Sequence, residues 1–336
     1  MKNGLFKWVF LLTMIMPFQI GAQTLCGDVN SDGVVGMDDL TALINYLVTN
    51  DATGINPDNA DCTLDSSVNM DDLTTLINYL VFNQWPMAVE SFTVNGVTFK
   101  MMPVKGGTFI MGSNLSSHFG YPHEVTLSDF YIGQTEVTQE LWIAVMGYNP
   151  SYFSSRNGYS DNLQRPVECV SSFHCLDFIE KLNRLTGLTF RLPTEAEWEF
   201  AASGGIKSHN YYFSGSDDAD DVAWFYPNLP SQVEGEEGCS TQSVGLKMPN
   251  ELGLYDMSGN VYEWCKDWAW MFDPEGHAYS PEPQVNPTGP ETGDSRVLRG
   301  GSYASSQTLT LWVKYRISTL PSGEYRDCGF RLVLVN

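Results

Sequence analysis

Gly253-Leu254-Tyr255-Asp256-Met257-Ser258-Gly259-Asn260-Val261-Tyr262-Glu263-Trp264 is the stretch on which the fold turns. Its plain reading is a tight glycine turn held by its Asp and Glu side chains. Upstream, Arg191-Leu192-Pro193-Thr194-Glu195-Ala196-Glu197-Trp198-Glu199 contains a capping box, Thr194 with Glu197, that opens a helix ended by Gly204-Gly205. Glu195 and Glu199 share a face of that helix, where acids near the N-terminus complement the dipole. Capping is therefore expected of them rather than glycosidase-type acid/base work. Thr138 to Met146 reads as another helix, stopped by Gly147. Ser172 to Asn183 reads as a third, with Phe173, Leu176, Ile179 and Leu182 as its buried face. Val97–Val104, Thr108–Met111, Thr189–Leu192 and Phe330–Val335 read as strands, giving an α+β domain over residues 94–336.

Residues 23–85 are written differently. They hold ten Asp, no Glu, no Lys and no Arg, whereas the following 251 residues carry 30 acids and 16 bases. Met37-Asp38-Asp39-Leu40-Thr41-Ala42-Leu43-Ile44-Asn45-Tyr46-Leu47-Val48 recurs almost unchanged from Met70 to Val81. Leu40, Leu43, Ile44 and Leu47 form one helical stripe, and Leu73, Leu76, Ile77 and Leu80 form its copy. Two such short helices are stable only against each other. Ahead of the first, Asp28, Asn30, Asp32 and Asp39 supply oxygens at loop positions 1, 3, 5 and 12. Val34 can add its carbonyl, and Gly33 stands at the sharp turn. This is an oxygen cage suited to calcium. The second loop offers Asp61, Thr63, Asp65, Ser67 and Asp72, with Ser66 in place of the glycine, and a weaker site is expected there.

The formal charge of −22 and the absence of any Lys/Arg run exclude a nucleic-acid binder and disfavour an anionic membrane as partner. Lys2 and Lys7 precede an apolar stretch from Trp8 to Phe18 and small residues ending at Ala22, the layout of a signal peptide over residues 1–22. The mature chain is then expected to be secreted, periplasmic or on the cell surface, with no integral membrane segment. Residues 86–93, around Pro86, read as a linker. Seven Cys are an odd number, so one at least is free or pairs between chains.

With its loop spacing and duplication, the N-terminal segment resembles a type I dockerin. The resemblance implies a small all-α calcium-loop module that binds a cohesin-like scaffold protein. Cys26 and Cys62 each lie beside the start of a loop, and a bridge between them would be an added feature. The larger domain carries Gly106-Gly107-Thr108-Phe109-Ile110-Met111-Gly112-Ser113, Glu136-Val137-Thr138, Arg299-Gly300-Gly301-Ser302 and Gly329-Phe330-Arg331 besides the two strings above. In this order they resemble the formylglycine-generating enzyme (sulfatase-modifying factor) family. That implies an irregular C-type-lectin-like fold and, in catalytic members, copper held by two thiolates. The matching positions here are Ser305 and Thr310, and hydroxyls do not hold soft Cu(I), so copper is not expected. The resemblance also implies a structural calcium loop using Asp256, Gly259, Val261 and Glu263. Related display scaffolds form their ligand surface between the Arg-Gly-Gly-Ser and Gly-Phe-Arg strings. Tyr303, Gln307, Leu309, Trp312, Lys314, Tyr315, Tyr325 and Arg326 occupy that stretch. The leading expectation is a secreted, non-catalytic binding or assembly protein with a protein or glycan ligand, acting in polysaccharide degradation. The alternative is a formylglycine-generating-type oxidase acting on sulfatase cysteines.

Overall fold

A computed structural model describes residues 26–63, 66–82, 87–115, 117–231, 233, 236–270 and 281–335. The expected signal peptide and the ligand position Asp65 lie outside the described residues. The chain divides between Pro86 and Met87 into two compact units.

In the N-terminal unit, α1 (Met37–Thr49) and α3 (Met70–Phe82) are the two copies of the repeat, with the short α2 (Pro57–Ala60) between them. Leu43 and Leu76 are fully buried and pack with Val29, Ala60 and Cys62. Leu40, Leu47, Leu73 and Leu80 are half-buried against this cluster. The fourth stripe positions, Ile44 and Ile77, are each 40% exposed, so the buried stripe is narrower than the repeat suggests. Truncating either central leucine to Ala would cost about 2–5 kcal/mol, a large share of what so small a unit can hold.

The larger unit begins with β1 (Glu90–Val94), β2 (Val97–Val104), β3 (Gly107–Met111), β4 (His123–Leu127) and β5 (Phe130–Gly133). Then come α4 (Gln139–Met146), α5 (Ser172–Thr186), β6 (Phe190–Arg191), α6 (Glu195–Ala202) and α7 (Ala219–Val222). It closes with β7 (Tyr262–Ala269), β8 (Gln284–Val285), β9 (Ser295–Arg299), β10 (Arg316–Thr319), β11 (Cys328–Gly329) and β12 (Val333–Leu334). Three sheets result, ordered β1-β2-β5-β12-β6, β10-β9-β7-β11 and β3-β4-β8.

Helix ends follow their capping residues. Thr138 caps α4 by accepting from Leu141 N–H, and Gly147 ends it in the left-handed region. Ser171 caps α5, which runs three residues past the expected Asn183 to Thr186 and stops at Gly187. Its phase also differs from expectation. Cys175, Phe178, Ile179 and Leu182 are its buried apolar face, while Phe173 and Leu176 are exposed. Phe178 rather than Phe173 stacks on Trp142 of α4, at 5.2 Å between ring centroids, and Phe330 packs edge-on to both rings. This cluster fills the space between the five-stranded sheet and α4 and α5. A second core gathers around Trp198 of α6, with residues from β3, β4, β7 and β9.

Of the expected strand over Phe330–Val335 only Val333–Leu334 (β12) forms, and β11 (Cys328–Gly329) lies just before it in a different sheet. β11 pairs parallel with β7, Gly329 opposite Glu263, and β12 pairs with β5 and β6. Residues 330–332 cross between them because Arg331 is buried and bonds inward.

Candidate functional site

The two N-terminal loops hold one frame of hydrogen bonds, repeated at the spacing of the duplication. Asp28 Oδ2 accepts from Gly33 N–H at 3.0 Å, and Asp61 Oδ2 accepts from Ser66 N–H at 2.8 Å. Asp39 Oδ1 accepts from Asn30 N–H at 3.0 Å, and Asp72 Oδ1 accepts from Thr63 N–H at 2.8 Å. Asp39 Oδ2 accepts from Gly36 N–H, and Asp72 Oδ2 from Asn69 N–H. The closing carboxylates Asp39 and Asp72 are fully buried, and Asp28 is nearly so. Asn30 and Asp32 turn their Oδ1 atoms onto the loop, toward Asp32 N–H and Val34 N–H, and are more exposed. Gly33 lies at φ +89°, and Ser66, its counterpart, is held in the same left-handed region at φ +69°. That conformation costs a non-glycine residue about 1–2 kcal/mol, a physical reason for a weaker second loop. Among the described residues no three His, Cys, Asp or Glu side chains are gathered as a metal cage. The donor chemistry nevertheless fits calcium: only hard oxygens are offered, and residues 23–85 have no basic side chain to neutralise their buried carboxylates. Asp28, Asn30, Asp32, the Val34 carbonyl and Asp39 would hold the ion in the first loop. Asp61, Thr63, Ser67 and Asp72 are the described candidates in the second. The ion would supply charge neutralisation.

In the larger unit, the Gly253–Trp264 stretch enters β7 through a turn that only glycine tolerates at 259. A Cβ there would stand 2.4 Å from Trp224 O, and φ is +87°. Behind the turn three buried carboxylates, Glu136, Asp256 and Glu263, surround Arg331. Arg331 Nε and Nη2 donate to Glu263 at 2.6 and 2.7 Å, and Trp198 Nε1 donates to the same carboxylate at 2.8 Å. Of the expected calcium loop, Glu263 accepts three hydrogen bonds, two from Arg331 and one from Trp198. Asp256 Oδ2 accepts from Gly245 N–H at 2.7 Å, while its Oδ1 has no hydrogen-bond partner. Burial pushes Asp256 up to about 6, against the pull of the Gly245 N–H and Arg331. Burial, together with the Asp256 and Glu263 charges, raises Glu136 well above the usual carboxylate range. The buried Oδ1 of Asp256 is the part of this loop that fits a hard cation; Gly259 and Val261 would add only backbone.

Glu195 and Glu199 are likewise more than capping acids. Both are fully buried and grip Arg299, at 2.7 and 2.6 Å, and Glu195 also pairs with Arg316. Burial works against the Arg299 charge, but the two carboxylates outweigh it and raise its pKa. Glu197 caps α6 through Thr194 N–H and pairs with Arg191. Sequence reasoning missed Arg299, Arg331 and Glu136 as interior charges. Their signal was present, since each sits in one of the quoted strings.

The thiolate positions show what replaces copper chemistry. Burial pushes the Tyr262 phenol up to about 12, against an opposing pull from the Ser305 and Thr310 hydroxyls. Ser305 Oγ also accepts from Ser302 N–H, and Thr310 Oγ1 donates to Gln307 O at 2.9 Å. Nor do nearby cysteines supply a thiolate. Burial raises Cys169 to about 12 and holds Cys175, Cys265 and Cys328 well above the usual thiol range.

The eight expected ligand residues are not one surface. Trp312 and Lys314 line a cavity of about 290 Å³ with Phe119, Asn210, Tyr211 and Tyr212. Trp312 stacks on Tyr212 at 4.4 Å, and Lys314 Nζ donates to Ile110 O and Gly112 O. Tyr315 stacks on His118 beside that cavity. A second group has Tyr303 packed edge-on to Phe153, with Arg326 lying 3.5 Å over Tyr152. Tyr325 bonds Thr319 through its hydroxyl. Gln307 and Leu309 are exposed.

Residues 88–335 match the model of the sulfatase-modifying factor enzyme 1-like domain. The chain belongs to that family. Residues 26–81 match the dockerin type I domain. The whole therefore joins a dockerin module to a sulfatase-modifying-factor domain, an arrangement that supports dockerin-mediated attachment. Dockerins typically bind calcium, generally bind cohesin scaffold proteins, and are typical of extracellular proteins. Among the described residues no helix is long and apolar enough to cross a membrane. Chaperone protein LppX of Paenibacillus barcinonensis is 33% identical over 280 residues, covering 70% of this chain and 90% of that one. The formylglycine-generating enzyme of Streptomyces coelicolor is 41% identical over 148 residues, 42% of this chain and 45% of the enzyme. The chain thus spans less than half of that enzyme's length. Among solved structures, Treponema denticola variable protein 1 superposes with a TM-score of 0.64 and 33% identity, covering 74% of this chain and 99% of that one. The expected recognition and the α+β fold of the formylglycine-generating-enzyme type are thereby shown.

Proposed function

We propose that this is a secreted binding or assembly protein whose sulfatase-modifying-factor domain recognises a ligand and does not oxidise cysteine. The observation that carries the reading is that Ser305 and Thr310 stand at the thiolate positions, with hydroxyls bonded within their own loop to Ser302 N–H and Gln307 O. Hydroxyls supply neither soft ligands nor a redox-active sulfur. The chaperone and variable-protein relatives support a use of this fold other than oxidation. The ligand, a protein or glycan, would meet the Trp312–Lys314 cavity and the Tyr303–Arg326 group, where stacked aromatics and cations offer contacts. The dockerin module, carrying calcium in its loops, would attach this domain to a cohesin-like scaffold in polysaccharide degradation. Asp256, with the Gly259 and Val261 carbonyls, would hold a further calcium. Titration with Cu(I) under reducing conditions tests the reading. The natural protein should show no tight site, while the Ser305→Cys/Thr310→Cys double variant should gain one. Tight Cu(I) binding by the natural protein would sink it and restore the oxidase alternative.

A further inference from the structure

Cys26 stands two residues before Asp28, and Cys62 follows Asp61, so each cysteine adjoins the first ligand position of a loop. The structure brings these two positions together. Cys26 Sγ lies 3.8 Å from Asp61 O, and Gly27 N–H donates to Asn59 O at 2.8 Å, so the two backbones run alongside. Cys62 is buried with Val29, Leu43, Ala60 and Leu76, and Cys26 packs against that cluster. Both are free thiols here, and residues 23–85 contain no third cysteine to compete. With Cys26 Sγ against the peptide that leads into Cys62, side-chain rotation is what bonding geometry requires.

We propose that Cys26 and Cys62 form a disulfide in the mature protein, a clasp that ties the starts of the two calcium loops together. This rests on the dockerin reading only for its consequence, not for the bond itself. The oxidant is a small-molecule disulfide such as oxidised glutathione. One cysteine sulfur, its proton released to solvent, attacks a glutathione sulfur; the glutathione S–S bond breaks and one reduced glutathione leaves. The second cysteine attacks the mixed disulfide, forming the Cys26–Cys62 bond and releasing the second reduced glutathione. Two thiols are oxidised and one disulfide is reduced. Holding both loop starts in place before the metal arrives lowers the ordering cost of binding. Reduction should therefore weaken calcium binding, by about tenfold where that ordering dominates.

The test uses the full chain, equilibrated with oxidised glutathione, alkylated in denaturant and cleaved at aspartate, which separates the two cysteines. The expected result is a Cys26 peptide linked to a Cys62 peptide, lighter by two hydrogens than the separate pair. Calcium titration of the oxidised and reduced protein is run in parallel. Alkylation of both thiols after oxidation, or linkage of either to another cysteine, would overturn the clasp. Linked peptides with no calcium binding in either state would keep the clasp and sink the dockerin reading. Calcium binding of equal strength in both states would overturn the coupling of clasp and loops. The Cys26→Ser variant, which retains the loop ligands, should bind calcium like the reduced protein.

Discussion

Arg331 and Glu263 face each other as a fully buried bidentate pair, at 2.6 and 2.7 Å, across the parallel junction of β11 with β7. The pair ties the last strands of the domain to the turn that defines its fold. Arg331 also donates to Gly133 O and Tyr255 O, so the guanidinium joins three chain segments. Breaking a buried pair leaves an uncompensated charge and costs about 3–5 kcal/mol. Glu263→Gln should therefore lower the melting temperature of the large domain by roughly 6–20 °C. Calorimetry checks it, and an unchanged transition would show that the pair adds no stability.

Removing calcium should loosen the N-terminal unit first. Its ten Asp have no basic residue beside them, and Asp39 and Asp72 are buried. With chelator, the far-ultraviolet helix signal and the heat stability of the N-terminal transition should fall while the large-domain transition holds. Asp39→Asn should reproduce this for the first loop even with calcium present. Identical melting curves with and without chelator would contradict the calcium reading.

Glu168 supplies a pH dependence. Burial raises its pKa above the ordinary 4.5, although Phe153 N–H and Arg326 pull it down. A carboxyl raised in the folded state stabilises fully below about pH 4.5, and that contribution is lost as pH rises through the folded value. Glu168→Gln should therefore flatten the fall in stability between pH 4.5 and neutrality. Thermal melts of the two proteins across that range would show it; parallel profiles would remove Glu168 as the cause.

Much of the architecture was legible because it rests on local chemistry. Thr138 and Thr194 mark helix starts, Gly147 marks an end, and the Met37 and Met70 repeats show their own pairing. What was not legible depends on contacts distant in sequence. The phase of α5 is set by Trp142, some thirty residues away, so Phe178 rather than Phe173 faces inward. Glu195 and Glu199 read as capping acids because their partner, Arg299, is about a hundred residues downstream. The Glu263 pair with Arg331 was hidden for the same reason, since Arg331 reaches it only once the chain has closed. The Ser305 and Thr310 substitutions were plain in the sequence, but their bonds to Ser302 N–H and Gln307 O required the fold.

The central claim, binding in place of cysteine oxidation, is tested most directly by mass spectrometry of a sulfatase peptide. The peptide, carrying its target cysteine, is incubated with the copper-loaded natural protein under oxygen. With Ser305 and Thr310 in place of thiolates, the cysteine should remain unmodified, at the level of a metal-free control. Formylglycine formed faster than in that control would contradict the account and require an oxidising centre elsewhere in the domain.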